Sequence, residues 1–232
     1  MMTEVHEPWY SEESIAHETV GLYAKQLSPH DFSGKPCLFL DRDGVLVEEI
    51  HYLHRPEQVA LTGGIGEAIA RVNAAQLPVV VVTNQAGIGR GMYSWEDFSA
   101  VQEMVDALLR DYGAHLDLVL ACAFHAEAVV PYAVPDHFWR KPKPGMFLEA
   151  ARILDVNLAR SFVVGDKLTD LAAGRAAGLE KGALVLNGHG REELDGQRAL
   201  QEEWLASGRF EISIVEDPAE AVCSWLAQVS RT

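Results

Sequence analysis

Six short apolar runs alternate with six longer segments of helical periodicity between residues 35 and 232, and this alternation restricts the fold more than any other feature of the chain. The runs are Cys37–Leu40, Val79–Thr83, Leu116–Ala121, Phe162–Gly165, Ala183–Leu186 and Ile212–Val215. The helical patterns cover Gly64–Gln76, Trp95–Tyr112, Met146–Leu154, Leu168–Ala177, Glu192–Ala206 and Pro218–Val229. Apolar strands alternating with helices predict an α/β fold, a doubly wound parallel sheet covered on both faces. Ser94-Trp95-Glu96-Asp97 reads as a capping box that starts the second helix. Residues 1–34 stand apart, with weak helical periodicity around Ile15, Val20, Leu22, Tyr23 and Leu27 and then a breaker segment from Ser28 to Gly34. They read as an N-terminal arm packing on a single domain of residues 35–232.

Ligands of such sheets bind beyond the carboxyl ends of the strands, so the residues that follow each run carry the functional information. After the first run comes Asp41-Arg42-Asp43-Gly44-Val45, and after the second Thr83-Asn84-Gln85-Ala86-Gly87-Ile88-Gly89-Arg90-Gly91. Arg140-Lys141-Pro142-Lys143-Pro144-Gly145 precedes the third helix, and the fourth run ends in Gly165-Asp166-Lys167-Leu168-Thr169-Asp170. Each has an ordinary reading when taken alone: Asp-x-Asp-Gly a turn, Thr-Asn-Gln a loop, Arg-Lys-Pro a solvated charge cluster, Gly-Asp a strand terminus. Gly87, Gly89 and Gly91 read as a flexible turn almost as well as a phosphate cradle. All four motifs in this order at one sheet edge leave little room for those ordinary readings.

The residue types fit phosphoryl transfer. Clustered carboxylates repel unless a hard cation lies between them, and oxygen donors suit Mg²⁺. A carboxylate beside that cation can attack phosphorus and form an aspartyl-phosphate. A second carboxylate two residues later can protonate the leaving oxygen and then activate water. A threonine hydroxyl and a lysine ammonium offer donors to the phosphoryl oxygens.

These motifs resemble those of the haloacid-dehalogenase (HAD) superfamily of phosphohydrolases: Asp41 to Val45 as the first, Thr83 as the second, Lys141 as the third and Gly165 to Asp170 as the fourth. LDRDG, His51-Tyr52, VVTNQAGIGRG, RKPKPGM and VVGDKLTDLAAGRAAG are similar, more narrowly, to the branch of D-glycero-D-manno-heptose-1,7-bisphosphate and histidinol phosphatases. The resemblance spans about Lys35 to Gly190 and implies a Rossmann-like HAD fold. It implies Asp41 as nucleophile, Asp43 as acid/base, and Thr83 and Lys141 as ligands of the transferring phosphoryl group. It further implies Mg²⁺ held by the Asp41 carboxylate, the Asp43 carbonyl and the Asp166 carboxylate, with Asp170 orienting its neighbours. Tyr52, Asn84, Arg90, Arg140 and Lys167 are candidates for the rest of the substrate, and Arg90, Arg140 and Lys143 for a second phosphate.

Spacing limits the cap. Asp41 and Thr83 are 42 residues apart, Thr83 and Lys141 58, and the expected elements fill both intervals. The site should therefore be roofed only by loops, near His51–Pro56 and Ala123–Trp139. The reading is an Mg²⁺-dependent phosphatase of a small sugar bisphosphate. Alternatives are a histidinol-phosphate phosphatase, a phospho-accepting regulatory domain, a catalytically dead binding protein and a dehalogenase; Asp41 and Asp43 sharing the first strand disfavour the regulatory domain, and Asp43 disfavours the dehalogenase.

Charge and cysteine usage exclude other partners. With 19 Lys and Arg against 34 Asp and Glu, the net charge of −15 opposes nonspecific nucleic-acid or anionic-membrane binding. The run Val79–Val82 is far short of the ~20 residues that span a bilayer, and the N-terminus lacks the features of a signal peptide. Three scattered cysteines, Cys37, Cys122 and Cys223, suggest free thiols in a reducing cytosol, so a cytoplasmic protein is expected; a monomer is expected separately. Relatives of this branch carry a structural zinc before the Arg-Lys-Pro motif; the resemblance puts its four ligand positions on Cys122, Phe124, His137 and Trp139. Two of these are aromatic carbon, so no structural zinc is expected. A set of Cys122, His125 and His137 lacks an evident fourth partner apart from Asp136. Phe124, Tyr132, Phe138 and Trp139 would hold the loop by packing instead.

Overall fold

The computed structural model describes residues 21–28, 30–193, 204 and 210–230. Seven strands make one sheet: β1 (Leu22–Gln26), β2 (Leu38–Leu40), β3 (Val79–Asn84), β4 (Leu118–Cys122), β5 (Phe162–Gly165), β6 (Lys181–Val185) and β7 (Glu211–Val215). Their spatial order is β1-β4-β3-β2-β5-β6-β7. The sheet is parallel from β4 to β7.

Strand periodicity sorts the core into two layers. Leu38, Leu40, Val79 and Val81 pack with Ile65, Ile69 and Val72 of α1 (Ile65–Ala74), with Phe98, Val101 and Val105 of α3 (Trp95–Asp111), and with Val222 and Trp225 of α6 (Pro218–Val229). The residues between them, Phe39, Val80 and Val82, face Phe147, Ala150 and Leu154 of α4 (Gly145–Leu154) and Leu171 and Ala173 of α5 (Leu168–Ala177). Successive side chains of a strand point to opposite faces, so these continuous apolar runs are what a doubly wound sheet requires. The capping box that starts α3 is present, with Ser94 Oγ accepting from the Asp97 N–H and the Asp97 carboxylate from the Ser94 N–H.

Two readings need correction. Leu22–Gln26 forms no helix; it is β1, paired antiparallel with β4. Tyr23 and Ala24 point into opposite core layers, an alternation too short to outweigh the weak helical spacing. The glycine-rich segment after β3 is also more ordered than a flexible turn, because it contains a short helix, α2 (Ala86–Gly89). The helix expected over 192–206 lies mostly outside the described residues, as do Ile15 and Val20.

Residues 123–144, between β4 and α4, form turns and irregular backbone. The segment after β2 adds a 3₁₀ turn at Pro56–Gln58 and two isolated bridges, Asp43–Val47 and Val47–Leu61, before α1. Roofing by loops is what the intervals predicted.

Candidate active site

The carboxyl ends of β2, β3 and β5 meet the Arg-Lys-Pro loop. Adjacent strands in register bring Leu40 beside Val81 and Val164, so Asp41, Thr83 and Asp166 leave neighbouring strands at one level. Asp41 is fixed by its own N–H, which donates to the Val164 carbonyl at 3.0 Å. Lys141 enters from the loop, 3% exposed. Its Nζ lies 2.9 Å from Asp41 Oδ1 and 2.6 Å from Asp170 Oδ1, and donates to the Val82 carbonyl at 2.8 Å. Burial acts against the ammonium charge; the carboxylates of Asp170 and Asp41 more than offset it and hold the group above the ordinary lysine value. The Arg42 N–H also donates to Asp41 Oδ1, at 2.7 Å.

Asp166 is fully buried. Its Oδ2 accepts from the His189 N–H at 2.9 Å, while Oδ1 has no hydrogen-bond partner among the described residues. Burial, with the charges of Asp41 and Asp170 behind it, pushes its carboxyl up to about 8. Asp170 is raised to about 6, chiefly by burial against the opposing pull of Lys141. Carboxylate oxygens of Asp41, Asp166 and Asp170 lie within 4.8 Å of one another. A second grouping of Glu49, Asp166 and His189 meets the same criterion and shares Asp166. Gly44 keeps the floor open: it has φ +80°, and a Cβ there would stand 2.7 Å from Asp166 Oδ2.

Asp43 is placed differently. Its carboxylate takes the Arg42 guanidinium at 3.0–3.1 Å, and Oδ2 also accepts from Gln85 Nε2 at 3.0 Å. The same Nε2 donates to Thr83 Oγ at 2.8 Å. Sequence reasoning passed over Arg42, Gln85 and Tyr93. A usable signal existed: Thr83 and Gln85 are two apart at a strand end, as Asp41 and Asp43 are, and alternate residues of an extended segment share a side.

The remaining site candidates divide into two sets. Asn84 is a clamp on the loop, its Oδ1 accepting from the Lys141 N–H and its Nδ2 donating to the Lys141 carbonyl, both at 3.1 Å. Arg90 donates to the Tyr52 hydroxyl at 2.6 Å and pairs with Glu127 at 2.7 Å; its Nη2 is 3.4 Å from both ring nitrogens of His125. Arg140 donates to the Phe124 carbonyl at 3.0 Å, and burial pulls its guanidinium down from the ordinary value. Lys167 Nζ is 3.9 Å from Asp166 Oδ1, and Lys143 is exposed.

In the roof loop the imidazole of His137 stacks on Phe124 at 4.0 Å, and Tyr132 meets the same ring edge-on. Phe124 and Trp139 are buried, but Phe138 is 55% exposed. It therefore contributes backbone rather than packing: its carbonyl accepts from the Gly145 N–H that starts α4.

Comparisons with known proteins bear on the family and the fold. Residues 138–207 match a HAD-hydrolase-like family model. A solved HAD-like structure from Mesorhizobium loti superposes with a TM-score of 0.79 at 38% identity, covering 94% of this chain and 97% of that one. The fold and site thus define a HAD-type phosphatase, a phosphoric monoester hydrolase. A D-glycero-beta-D-manno-heptose-1,7-bisphosphate 7-phosphatase of Mesorhizobium japonicum is 48% identical over 166 residues, 72% of each chain. The D,D-heptose 1,7-bisphosphate phosphatase of B. bronchiseptica, solved with magnesium and phosphate, has a TM-score of 0.69 at 32% identity, covering 83% of this chain and 98% of that one. The chain belongs to the HAD phosphatases, in the branch of the heptose-bisphosphate phosphatases. Among the described residues no helix is long and apolar enough to cross a membrane.

Proposed function

We propose that this phosphatase removes one phosphate from a sugar bisphosphate of the heptose 1,7-bisphosphate type, through an aspartyl-phosphate on Asp41. The observation that carries the reading is the pairing of a buried Lys141 ammonium with Asp41 Oδ1 beside Asp166 Oδ1, which has no hydrogen-bond partner among the described residues. Both groups on Asp41, the Arg42 N–H and Lys141 Nζ, act on Oδ1, so Oδ2 is the oxygen that attacks phosphorus. The bond from phosphorus to the sugar oxygen breaks, and Asp43 gives that oxygen its proton. Lys141 and Thr83 hold the phosphoryl oxygens while negative charge gathers on them. Water then attacks the phosphoryl group, Asp43 takes its proton, and inorganic phosphate leaves with Asp41 regenerated.

The donor set also fits Mg²⁺. Asp41 and Asp166 carboxylates would hold it with the Asp43 carbonyl, and the buried Oδ1 of Asp166, which accepts no hydrogen bond among the described residues, is a hard donor of the kind that ion selects. When bound it supplies positive charge to the phosphoryl oxygens and to the clustered carboxylates.

Arg90, held by Tyr52 and next to His125, and Arg140, on the same loop as His125, support a second phosphate on the substrate. The test is phosphate release with Mg²⁺ from a sugar bisphosphate, its monophosphate and histidinol phosphate, using native enzyme and Asp41→Asn. The bisphosphate should give the highest kcat/KM and the variant no turnover. Equal values across sugar phosphates, or a preference for histidinol phosphate, overturns the substrate assignment; an active Asp41→Asn overturns the mechanism.

A further inference from the structure

Gln85 touches both groups that act on the two ends of the scissile bond. Its Nε2 donates at once to Asp43 Oδ2, at 3.0 Å, and to Thr83 Oγ, at 2.8 Å. Two donors hold the other end of the amide: the Tyr93 hydroxyl at 2.5 Å and Arg42 Nη2 at 3.2 Å, both directed at Oε1. An amide turned the other way would aim its own N–H donors at the guanidinium, which has donors only. Arg42 therefore decides which end of Gln85 faces the acid/base, and Tyr93 reinforces it.

The surroundings of this network are closely packed. Gln85 is 2% and Arg42 1% exposed. The Arg42 guanidinium lies 5.0 Å above the Phe98 ring of α3. Tyr93 is 9% exposed and packs so closely on α2 that a Cβ at Gly87 would stand 2.2 Å from its ring. Burial raises the Tyr93 hydroxyl well above the ordinary tyrosine value, so it remains a proton donor.

We infer that Gln85, locked by Tyr93 and Arg42, is a positioning residue that sets the orientation of Asp43 and Thr83 together. This rests on the proposed roles of those two residues. By filling a lone pair of the Thr83 hydroxyl, the amide leaves the hydroxyl proton to point at the phosphoryl oxygen. By holding Oδ2 of Asp43 alongside the Arg42 fork, it fixes the plane of the carboxylate, whose side chain remains 22% exposed to an incoming leaving group. One amide thus couples the group that binds the transferred phosphoryl to the group that serves the departing oxygen.

The coupling has a signature in leaving-group dependence. Protonation matters for a sugar alkoxide and little for p-nitrophenolate, whereas phosphoryl stabilisation matters for both. The experiment measures kcat/KM with Mg²⁺ on a sugar phosphate and on p-nitrophenyl phosphate for Asp43→Asn, Thr83→Ala, Gln85→Met and Tyr93→Phe. Asp43→Asn should lose activity mainly on the sugar phosphate, and Thr83→Ala about equally on both. Gln85→Met should combine the two: a loss of about tenfold on the aryl ester and about 10²-fold or more on the sugar ester, within the range of acid–base and oxyanion-donor effects. Tyr93→Phe should show the same pattern at smaller amplitude, and it covers the case in which Gln85→Met does not fold. If Asp43→Asn has no leaving-group dependence, the acid/base reading itself fails. If both controls behave as stated but Gln85→Met, or Tyr93→Phe in its place, is native-like or loses equally on both esters, the coupling is overturned.

Discussion

Asp170 Oδ1 lies 2.6 Å from Lys141 Nζ, and both side chains are at most 2% exposed. The nearby Lys167 N–H donates to the other oxygen of Asp170 at 3.0 Å. The partner of the phosphoryl-binding lysine is thus itself anchored to the start of α5, and the lysine cannot turn away from Asp41 without abandoning it.

Removing that partner should be costly in two ways. Asp170→Ala leaves a buried ammonium with one carboxylate fewer, and breaking a buried pair from one side costs roughly 3–5 kcal/mol. Thermal unfolding should reveal the loss, and kcat should fall while Mg²⁺ still binds. A variant with native melting temperature and native kcat would show that Asp41 and the Val82 carbonyl suffice to hold Lys141.

Gly44→Ala should damage the cation site more than the fold. The residue has φ +80°, and its new methyl would press on Asp166 Oδ2. The Mg²⁺ concentration for half-maximal activity should rise severalfold. An unchanged Mg²⁺ dependence would mean that Asp166 has room to move.

A pH effect is expected far from the site. Asp117 is fully buried; its Oδ2 accepts from the Val79 N–H at 2.8 Å, and His115 Nε2 lies 3.5 Å from Oδ1. Burial raises its carboxyl above the ordinary value despite that hydrogen bond and the histidine. A raised acid binds its proton more tightly when folded, so its contribution is complete below the unfolded value near 4 and declines as pH rises through the folded value. Asp117→Asn removes the ionisation and keeps an acceptor for Val79. The stability difference between native protein and variant, followed by urea unfolding from pH 4 upward, should shift in favour of the variant and level off once the folded-state carboxyl is ionised. A difference independent of pH would contradict this.

The roof loop should need no zinc. Purified protein should contain no stoichiometric zinc and melt at the same temperature with or without a chelator. Phe124→Ala, which removes the ring under His137 and Tyr132, should cost roughly 3–5 kcal/mol in urea unfolding. Elemental analysis finding one tightly held zinc per chain would overturn the packing account.

Strand ends were legible because a buried parallel strand has a simple signature and its last residues face the ligand. Asp41, Thr83 and Asp166 come together for that reason alone. The spacing of Gln85 from Thr83 was legible, but its role was not: what matters is the direction of its amide, which Arg42, in the turn after the neighbouring strand, and Tyr93 set. Phe138 misled because an aromatic residue among others reads as packing, whereas the backbone here turns it outward. Leu22–Gln26 was misread because five residues carry too few turns of any period to separate strand from helix.

That last strand has a consequence for solubility. The β4 segment it covers, Leu118–Cys122, is buried along its whole length, whereas β7, at the opposite edge, carries Glu211 and Ser213 and is mostly open to water. A sheet edge made of Leu-Val-Leu-Ala-Cys would offer unpaired backbone and apolar side chains to any other chain. By occupying that position and ending in Lys25 and Gln26, β1 substitutes a short polar margin for a sticky one. Protein shortened past Gln26 should therefore associate edge to edge, even with every residue around Asp41 retained.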